Sequence, residues 1–243
     1  MPEGPSLVIL KELVHHFEGK EIISVEGNSP ADIERLEGRT ILSFQTWGKH
    51  FLICVDGFTV KIHLLMFGTY RINDRKESEA RMSLIFKSGE INFYTCSIKI
   101  LEGDINSHYD WREDVMSESW NPTRANESLN AIPDTQICDA LLDQNIFSGV
   151  GNIIKNEVLY RCKVHPESLI GKIPKKQISS IIKEARKYSF DFLRWKNNNE
   201  LKENWLAYSQ KVCCRCDLSF IKKDTGKKKR KSHFCSNCQK LYQ

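Results

Sequence analysis

Apolar residues recur along the chain in two different rhythms. Near the start, Leu7, Ile9, Leu10, Leu13, Val14 and Phe17 are apolar. Leu10, Leu13, Val14 and Phe17 follow the i, i+3, i+4, i+7 stripe of an amphipathic helix. The spacing predicts a helix over residues 6–19, with Pro5 suited to its first turn, Ser6 as cap and Gly19 as terminator. From residue 22 to 101 the rhythm changes to short β-branched and aromatic runs. These predict strands at 41–47, 51–55, 59–64, 69–72, 82–86, 91–94 and 98–101, with turn signals at Asp56-Gly57, Gly68 and Ser88-Gly89. Many short strands joined by tight turns predict an antiparallel sandwich or barrel.

Residues 102–134 are polar, include Pro122 and Pro133, and read as a linker into a second domain. A helical pattern follows. Ile137, Leu141, Leu142 and Ile146 make one apolar face, and Ile153, Ile154, Val158 and Leu159 another. Between them lies Phe147-Ser148-Gly149-Val150-Gly151-Asn152, with Asn152 in position to cap the next helix. A turn at Lys163-Val164-His165-Pro166 precedes a further helix over residues 174–193.

Composition narrows the class. Of 243 residues, 40% are hydrophobic and 28% charged, as in a globular protein. No apolar run reaches the length of a membrane span, and the start lacks a basic-then-apolar signal, so the expected setting is cytoplasmic or nucleoid-associated, without a membrane partner. Net charge is +5, but residues 202–243 hold eleven Lys/Arg against three Asp/Glu. A basic tail on a mildly acidic body suggests a polyanion partner, although a solvated charge run has the same composition.

The cysteines change the picture most. Five of the nine fall in the last 31 residues, and Cys213-x-x-Cys216 and Cys235-x-x-Cys238 form two knuckles 18 residues apart. Paired knuckles at this spacing are a Cys₄ zinc-ribbon signature, with one structural zinc and no position left open for water. Cys214 is left over. Between the knuckles runs Lys227-Lys228-Lys229-Arg230-Lys231, facing solvent or a phosphate backbone.

Three further stretches carry candidate chemistry, each with an ordinary reading beside it. Gly149-Val150-Gly151-Asn152 presents backbone N–H groups at a helix start, which suits a phosphate, and it is equally a plain interhelical turn. Lys49 stands at the head of a strand, where a solvated cation is the simpler reading; Leu65-Met66-Phe67 sits on a turn, where ordinary core is the simpler reading. Met1-Pro2-Glu3 begins the chain. Removing Met1 exposes a secondary amine, with a pKa of roughly 7.7–8.0 for an α-amine, next to a carboxylate. Such an amine can attack a sugar aldehyde carbon and give an iminium, while Glu3 moves a proton to or from the sugar oxygen. Alone, these residues also suit a frayed end.

Together they resemble the formamidopyrimidine-DNA glycosylase and endonuclease VIII family. The matching parts are Pro2-Glu3-Gly4-Pro5, Gly48-Lys49, His63 to Gly68, Leu141-Leu142-Asp143-Gln144 with Gly149-Val150-Gly151-Asn152, His165-Pro166 and the Cys₄ finger, in the family's order. The resemblance implies an α+β multidomain fold: an N-terminal helix plus antiparallel β-sandwich (1–115), a helix–two-turn–helix domain (116–204) and a zinc-ribbon finger (205–243). Damaged or abasic double-stranded DNA would lie in a basic cleft between the halves of a monomer.

By that resemblance Pro2 is the Schiff-base nucleophile at C1′ and Glu3 its acid–base partner. Lys49 contacts phosphate and serves β-elimination, and Arg230 binds phosphate and serves δ-elimination. Asn152, with Gly151 and Arg112, binds DNA beside the lesion, and Leu65, Met66 and Phe67 fill the hole left by a flipped base. Zinc is held by Cys213, Cys216, Cys235 and Cys238.

Three positions depart from the family pattern. Ser6 replaces a second glutamate, the finger loop is about two residues longer than usual, and Thr95-Cys96-Ser97-Ile98-Lys99 lacks the basic–aromatic pair of the purine-directed branch. The expectation is therefore an endonuclease VIII-like bacterial member, a glycosylase/abasic-site lyase for oxidised pyrimidines. The alternatives are an oxidised-purine glycosylase of the same family and a zinc-ribbon protein that binds damaged DNA without cutting it.

Overall fold

The computed structural model describes residues 2–243. The chain forms two compact units, one ending at Asp110 and the other beginning at Trp111. In the first, helix α1 spans Gly4–Val14 and continues into a single 3₁₀ turn, His15–Phe17. Its apolar stripe buries Leu7, Leu10, Val14 and Phe17 but leaves Leu13 exposed, and the turn closes at Glu18, one residue before Gly19 at φ +73°. The helix begins two residues earlier than its periodicity predicted. Glu3 is the N-cap residue, and Ser6 lies inside the helix, donating its N–H to the Glu3 carbonyl at 2.8 Å. Ser6 is thus not the cap, because Pro5 fits the first turn only when the helix starts before it.

Eight strands follow: β1 Ser24–Glu26, β2 Ser43–Trp47, β3 His50–Val55, β4 Phe58–His63, β5 Thr69–Ile72, β6 Met82–Phe86, β7 Gly89–Tyr94 and β8 Ser97–Glu102. They make two antiparallel four-stranded sheets ordered β1-β6-β7-β5 and β2-β3-β4-β8, the expected sandwich. Phe44 and Phe51 stack at 5.5 Å within one sheet, and Phe51 meets Phe93 of the other at 5.9 Å. All three rings are buried, so the two sheets share one aromatic core. Strand β1 escapes the sequence pattern because three residues are too few to show a period.

The second unit contains α2 Pro122–Asn130, α3 Ile137–Ala140, α4 Asn152–Arg161 and α5 Lys175–Asn197, then a hairpin of β9 Ile221–Thr225 and β10 Arg230–Phe234. The polar stretch read as a linker holds α2. Asn121 caps it by accepting the Thr123 and Arg124 N–H groups, and Pro122 takes its first turn. Within it only Ala125 and Leu129 are buried, too few apolar positions to mark a stripe. Helices α3, α4 and α5 pack around Ile137, Leu141, Phe147, Ile154, Ile181 and Phe192. Buried Glu157 accepts the N–H groups of Leu206, Ala207 and Tyr208 at 2.8–3.1 Å, pinning the approach to the finger. Among the described residues no helix is long and apolar enough to cross a membrane.

Candidate active site and nucleic-acid interface

The chain start is built into the first unit. Glu3 is fully buried, Pro2 is half-buried, and Gly4, Pro5, Ser6 and Leu7 are buried behind them. Fraying is excluded for a segment packed this way. Glu3 has extended backbone, φ −118° and ψ 170°, at the N-terminus of α1, where the helix dipole favours a carboxylate. The removal of Met1 concerns a residue outside those described.

Lys49 belongs to a neighbouring element, since α1 packs against β2 and β3. Trp47 pairs with His50, so Gly48-Lys49 is the two-residue loop of that hairpin, with Gly48 at φ +55°. A glycine at positive φ in the first loop position suits this turn, which carries Lys49 at its tip. Lys49 therefore precedes the strand it was expected to head.

Around that tip lies a group that the motif reading passed over. Burial first, then Lys61, His63 and Lys49, push the His50 imidazole down to about 3. His63 is lowered by burial, Lys49 and Lys61. Burial raises the Tyr109 phenol. A protonated phenol and a neutral imidazole therefore share the 3.2 Å contact between Tyr109 Oη and His50 Nδ1, with the donor set by the imidazole tautomer. Trp47 stacks on His50 and Tyr109 at 5.6 and 5.0 Å, with its indole N–H donated to the Asp110 carbonyl. Neutral imidazoles among lysines leave the local charge to the lysines, as an anion-binding surface requires.

Leu65, Met66 and Phe67 are 47%, 51% and 78% exposed, so the reading of this triplet as ordinary core is corrected. The turn between β4 and β5 leaves them no interior to enter. Leu65 adopts φ +52°, and the Gly68 N–H closes on the Leu64 carbonyl at 2.7 Å. A Cβ at Gly68 would stand 2.0 Å from that carbonyl oxygen, so the closure needs glycine.

In the second unit the glycine turn before α4 is braced by Gln144. Its Oε1 accepts the Gly149 N–H, and its Nε2 donates to the Leu142 and Val150 carbonyls. Gly149 has φ +96°. Gly151 is the N-cap of α4, and Asn152 is its first helical residue, so Asn152 does not cap the helix as predicted. Its side chain instead donates Nδ2–H to the Lys231 carbonyl at 3.0 Å. Asn152 Oδ1 and Ser148 Oγ are buried without a hydrogen-bond partner among the described residues. A helix N-terminus beside two such buried oxygens is equipped for a bound polar group. Arg112 is exposed on the 3₁₀ turn Trp111–Glu113, and its carbonyl accepts the Asn121 N–H. His165 packs edge-on against Phe234 at 4.3 Å, a joint between helices and finger.

The four cysteines converge. Their Sγ atoms all lie within 4.8 Å of one another, with Cys216–Cys235 at 3.4, Cys216–Cys238 at 3.5 and Cys213–Cys238 at 3.8 Å. A tetrahedral ion bound at about 2.3 Å places its sulfurs about 3.8 Å apart, so the set fits one ion with every position filled. Tyr160 Oη lies 3.1 Å from Cys213 Sγ, oriented to donate to a thiolate, and Arg215 covers the Tyr160 ring at 4.0 Å. Cys214 is exposed and outside the set, as expected. Arg230, half-buried, opens β10 and pairs with Thr225 at the hairpin end. The Lys231 contact brings Asn152 to the residue beside it. The lysines from Lys227 to Lys229 and Lys231 are exposed.

Residues 1–97 match the family model described as formamidopyrimidine-DNA glycosylase N-terminal domain, and residues 113–188 match that of the formamidopyrimidine-DNA glycosylase H2TH domain. The chain is 28% identical over 237 residues to Endonuclease 8-like 3 of Xenopus laevis, covering 90% of this chain and 38% of that protein. It spans 34–38% of the length of the first curated relatives it matches. It is also 26% identical over 254 residues to the DNA-(apurinic or apyrimidinic site) lyase Nei2 of Mycolicibacterium smegmatis, covering 98% of this chain and 99% of that one. A solved structure of Lactococcus lactis formamidopyrimidine DNA glycosylase, non-covalently bound to DNA containing an AP site, shares the fold. Its TM-score is 0.87 at 21% identity, covering 98% of this chain and 99% of that one. With two models of one family matched in order over both units, the chain belongs to the formamidopyrimidine-DNA glycosylase and endonuclease VIII family.

Proposed function

We propose that the protein is a base-excision-repair DNA glycosylase with abasic-site lyase activity, acting on oxidised pyrimidines in double-stranded DNA. The observation that carries this reading is the placement of Pro2 directly before a fully buried Glu3 at the head of α1. Once Met1 is removed, the Pro2 nitrogen bonds to C1′ as the glycosidic bond breaks, and the base leaves with that electron pair and takes up a proton. Glu3 delivers a proton to the ring oxygen as the sugar opens, and the nitrogen lone pair completes the iminium. Loss of the C2′ proton then expels the 3′-phosphate, with Lys49 positioning the strand. A second elimination, with Arg230 on the phosphate, expels the 5′-phosphate. Asn152, Gly151 and Arg112 hold phosphates without reading sequence. Leu65, Met66 and Phe67 enter the stack where the damaged base leaves it.

The Cys₄ set supports one structural zinc, since thiolates at this spacing satisfy the ion and leave no position for substrate. The pyrimidine preference is supported by the short Thr95-Cys96 connection between β7 and β8, which offers no loop for a guanidinium–aromatic pair. Borohydride trapping on oligonucleotides with defined lesions tests the reading. Protein with a free Pro2 amine becomes covalently linked, whereas protein retaining Met1 binds DNA without linkage. Equal trapping of the blocked form would remove Pro2 as nucleophile and point to a lysine.

A further inference from the structure

Arg230 is held between two sets of contacts from the helical segment, and one of them is a carboxylate that none of the motifs contains. Asp139, on α3, is 8% exposed. Its Oδ2 accepts the Lys227 N–H at 2.7 Å and its Oδ1 the Lys228 N–H at 3.2 Å. The Lys228 ammonium returns to the Leu142 carbonyl at 3.0 Å. Gly226, at φ +74°, makes the approach possible, because a Cβ there would meet Asp139 Oδ1 at 2.4 Å. On the far side of Arg230, the Lys231 carbonyl accepts from Asn152 and Asn156 at 3.0 and 3.3 Å, and Asn156 Oδ1 accepts the His233 N–H at 2.7 Å.

The choice of a carboxylate has a physical consequence. Lys227 to Lys231 is an unbroken run of five cations, and like charges so close disfavour a tight turn. Burying a carboxylate is costly unless it is hydrogen-bonded, and here two main-chain amides satisfy it. It thus sets a negative charge behind the turn's backbone while the lysine side chains stay exposed.

We propose that Asp139 is a positioning residue. By fixing the turn from Gly226 to Lys229 it determines where Arg230 is presented to the DNA phosphate, and so how far strand cleavage proceeds beyond β-elimination. This inference rests on the role given to Arg230 above. Asp139 is buried against the turn and acts through it, and the earlier steps, which use Pro2, Glu3 and Lys49, do not depend on it.

The test compares Asp139→Ala, Asp139→Asn and Arg230→Ala in the full-length, zinc-loaded protein. Three quantities are read: zinc content, amide exchange at Lys227 and Lys228, and the ratio of β- to β,δ-elimination products on a duplex with a preformed abasic site. In Asp139→Ala, zinc is retained, the two amides exchange faster, and the β,δ product falls about 10- to 100-fold relative to the β product, the scale of a reacting group misplaced by about 1 Å. Asp139→Asn, with one acceptor left, falls between. Should Asp139→Ala lose its zinc, the Asn variant decides on the same readings. Unchanged amide exchange in either zinc-loaded variant overturns the proposal. So does a product ratio moved by Arg230→Ala but by neither Asp139 variant. If Arg230→Ala leaves the ratio unchanged, the role of Arg230 falls instead; faster exchange then sustains the turn-fixing role and unchanged exchange removes it.

Discussion

The Nδ1 atom of His63 accepts the backbone N–H of Leu65 at 3.1 Å. The bond reaches across the residue that starts the turn and holds Leu65 in its left-handed conformation, φ +52°. With the Gly68 closure on Leu64, it fixes both ends of the exposed triplet. In the proposed role as stack-entering side chains, the triplet gains from being held in place before DNA arrives, since less ordering remains to be done on binding.

Phe67→Ala therefore separates wedge from scaffold. Phe67 is 78% exposed, so its truncation leaves thermal stability unchanged. Opening the stack costs a few kcal/mol, and loss of part of the filler lowers single-turnover excision from duplex about tenfold, while a single-stranded substrate is affected little. An equal loss on both substrates would show that Phe67 acts elsewhere than in the stack.

The same turn marks how far the sequence could be read. Strands β2 to β8 were legible because alternating and continuous apolar runs between glycine turns survive into the fold with shifts of one or two residues. Helix α2 was passed over for want of apolar residues, although Asn121-Pro122 is a cap signature. The Cys₄ set was legible because its ligands are close in sequence, pair by pair. Asp139 and Asn156 were not, since each meets residues more than 70 positions away through tertiary packing alone. His50 and Tyr109 likewise become a pair only when β3 and the segment after β8 meet.

The buried imidazoles predict a pH dependence of stability. His50 has a folded value of about 3, well below the usual imidazole range near 6.5, and His63 is also lowered. Between those limits the unfolded chain binds the proton that the folded chain refuses. Stability is therefore fully present above about pH 6.5 and declines as pH falls toward the folded values. Each imidazole held neutral contributes a slope of up to about 1.4 kcal/mol per pH unit. Urea unfolding from pH 6.5 to 5, above the carboxylate range, measures it. His50→Gln flattens the slope, and an unchanged slope in that variant would remove His50 as its source.

The finger depends on its ion for folding. Its buried apolar residues are few: Ala207, Cys213, Phe220, Phe234 and Cys235. So small a core leaves stability to the metal, where zinc contributes apparent binding energies of about 10–16 kcal/mol in isolated fingers. Cys235→Ser loses the ion, and amide protection disappears along β9 and β10. The first unit, whose core lies wholly within itself, keeps its melting transition. Native protein free of zinc by elemental analysis, with β9 and β10 still protected, would contradict this account.

Lesion preference turns on what happens to the partner base once the damaged base has left the stack. An orphaned cytosine opposite 8-oxoguanine is best held by a guanidinium donating to its acceptor edge with an aromatic ring against its face. In this chain the connection from β7 to β8 is Thr95-Cys96 alone. Thr95 has φ +52°, and the chain enters β8 at Ser97, with Lys99 opposite Lys61 in the β4–β8 register. Neither an arginine nor an aromatic residue stands between Thr95 and Lys99. Leu65, Met66 and Phe67 present an apolar surface with no hydrogen-bonding preference for one partner over another. Such a surface discriminates the opposite base weakly, which suits removal of damaged thymine and cytosine. A tenfold preference needs only about 1.4 kcal/mol between transition states, within the 1–3 kcal/mol of one bidentate base contact. Single-turnover rates on thymine glycol, 5-hydroxyuracil and 8-oxoguanine duplexes are therefore expected to favour the pyrimidines at least tenfold. Varying the base opposite should move those rates little. A lead for 8-oxoguanine opposite cytosine would mean that another element supplies the missing contact, and would reverse the assignment.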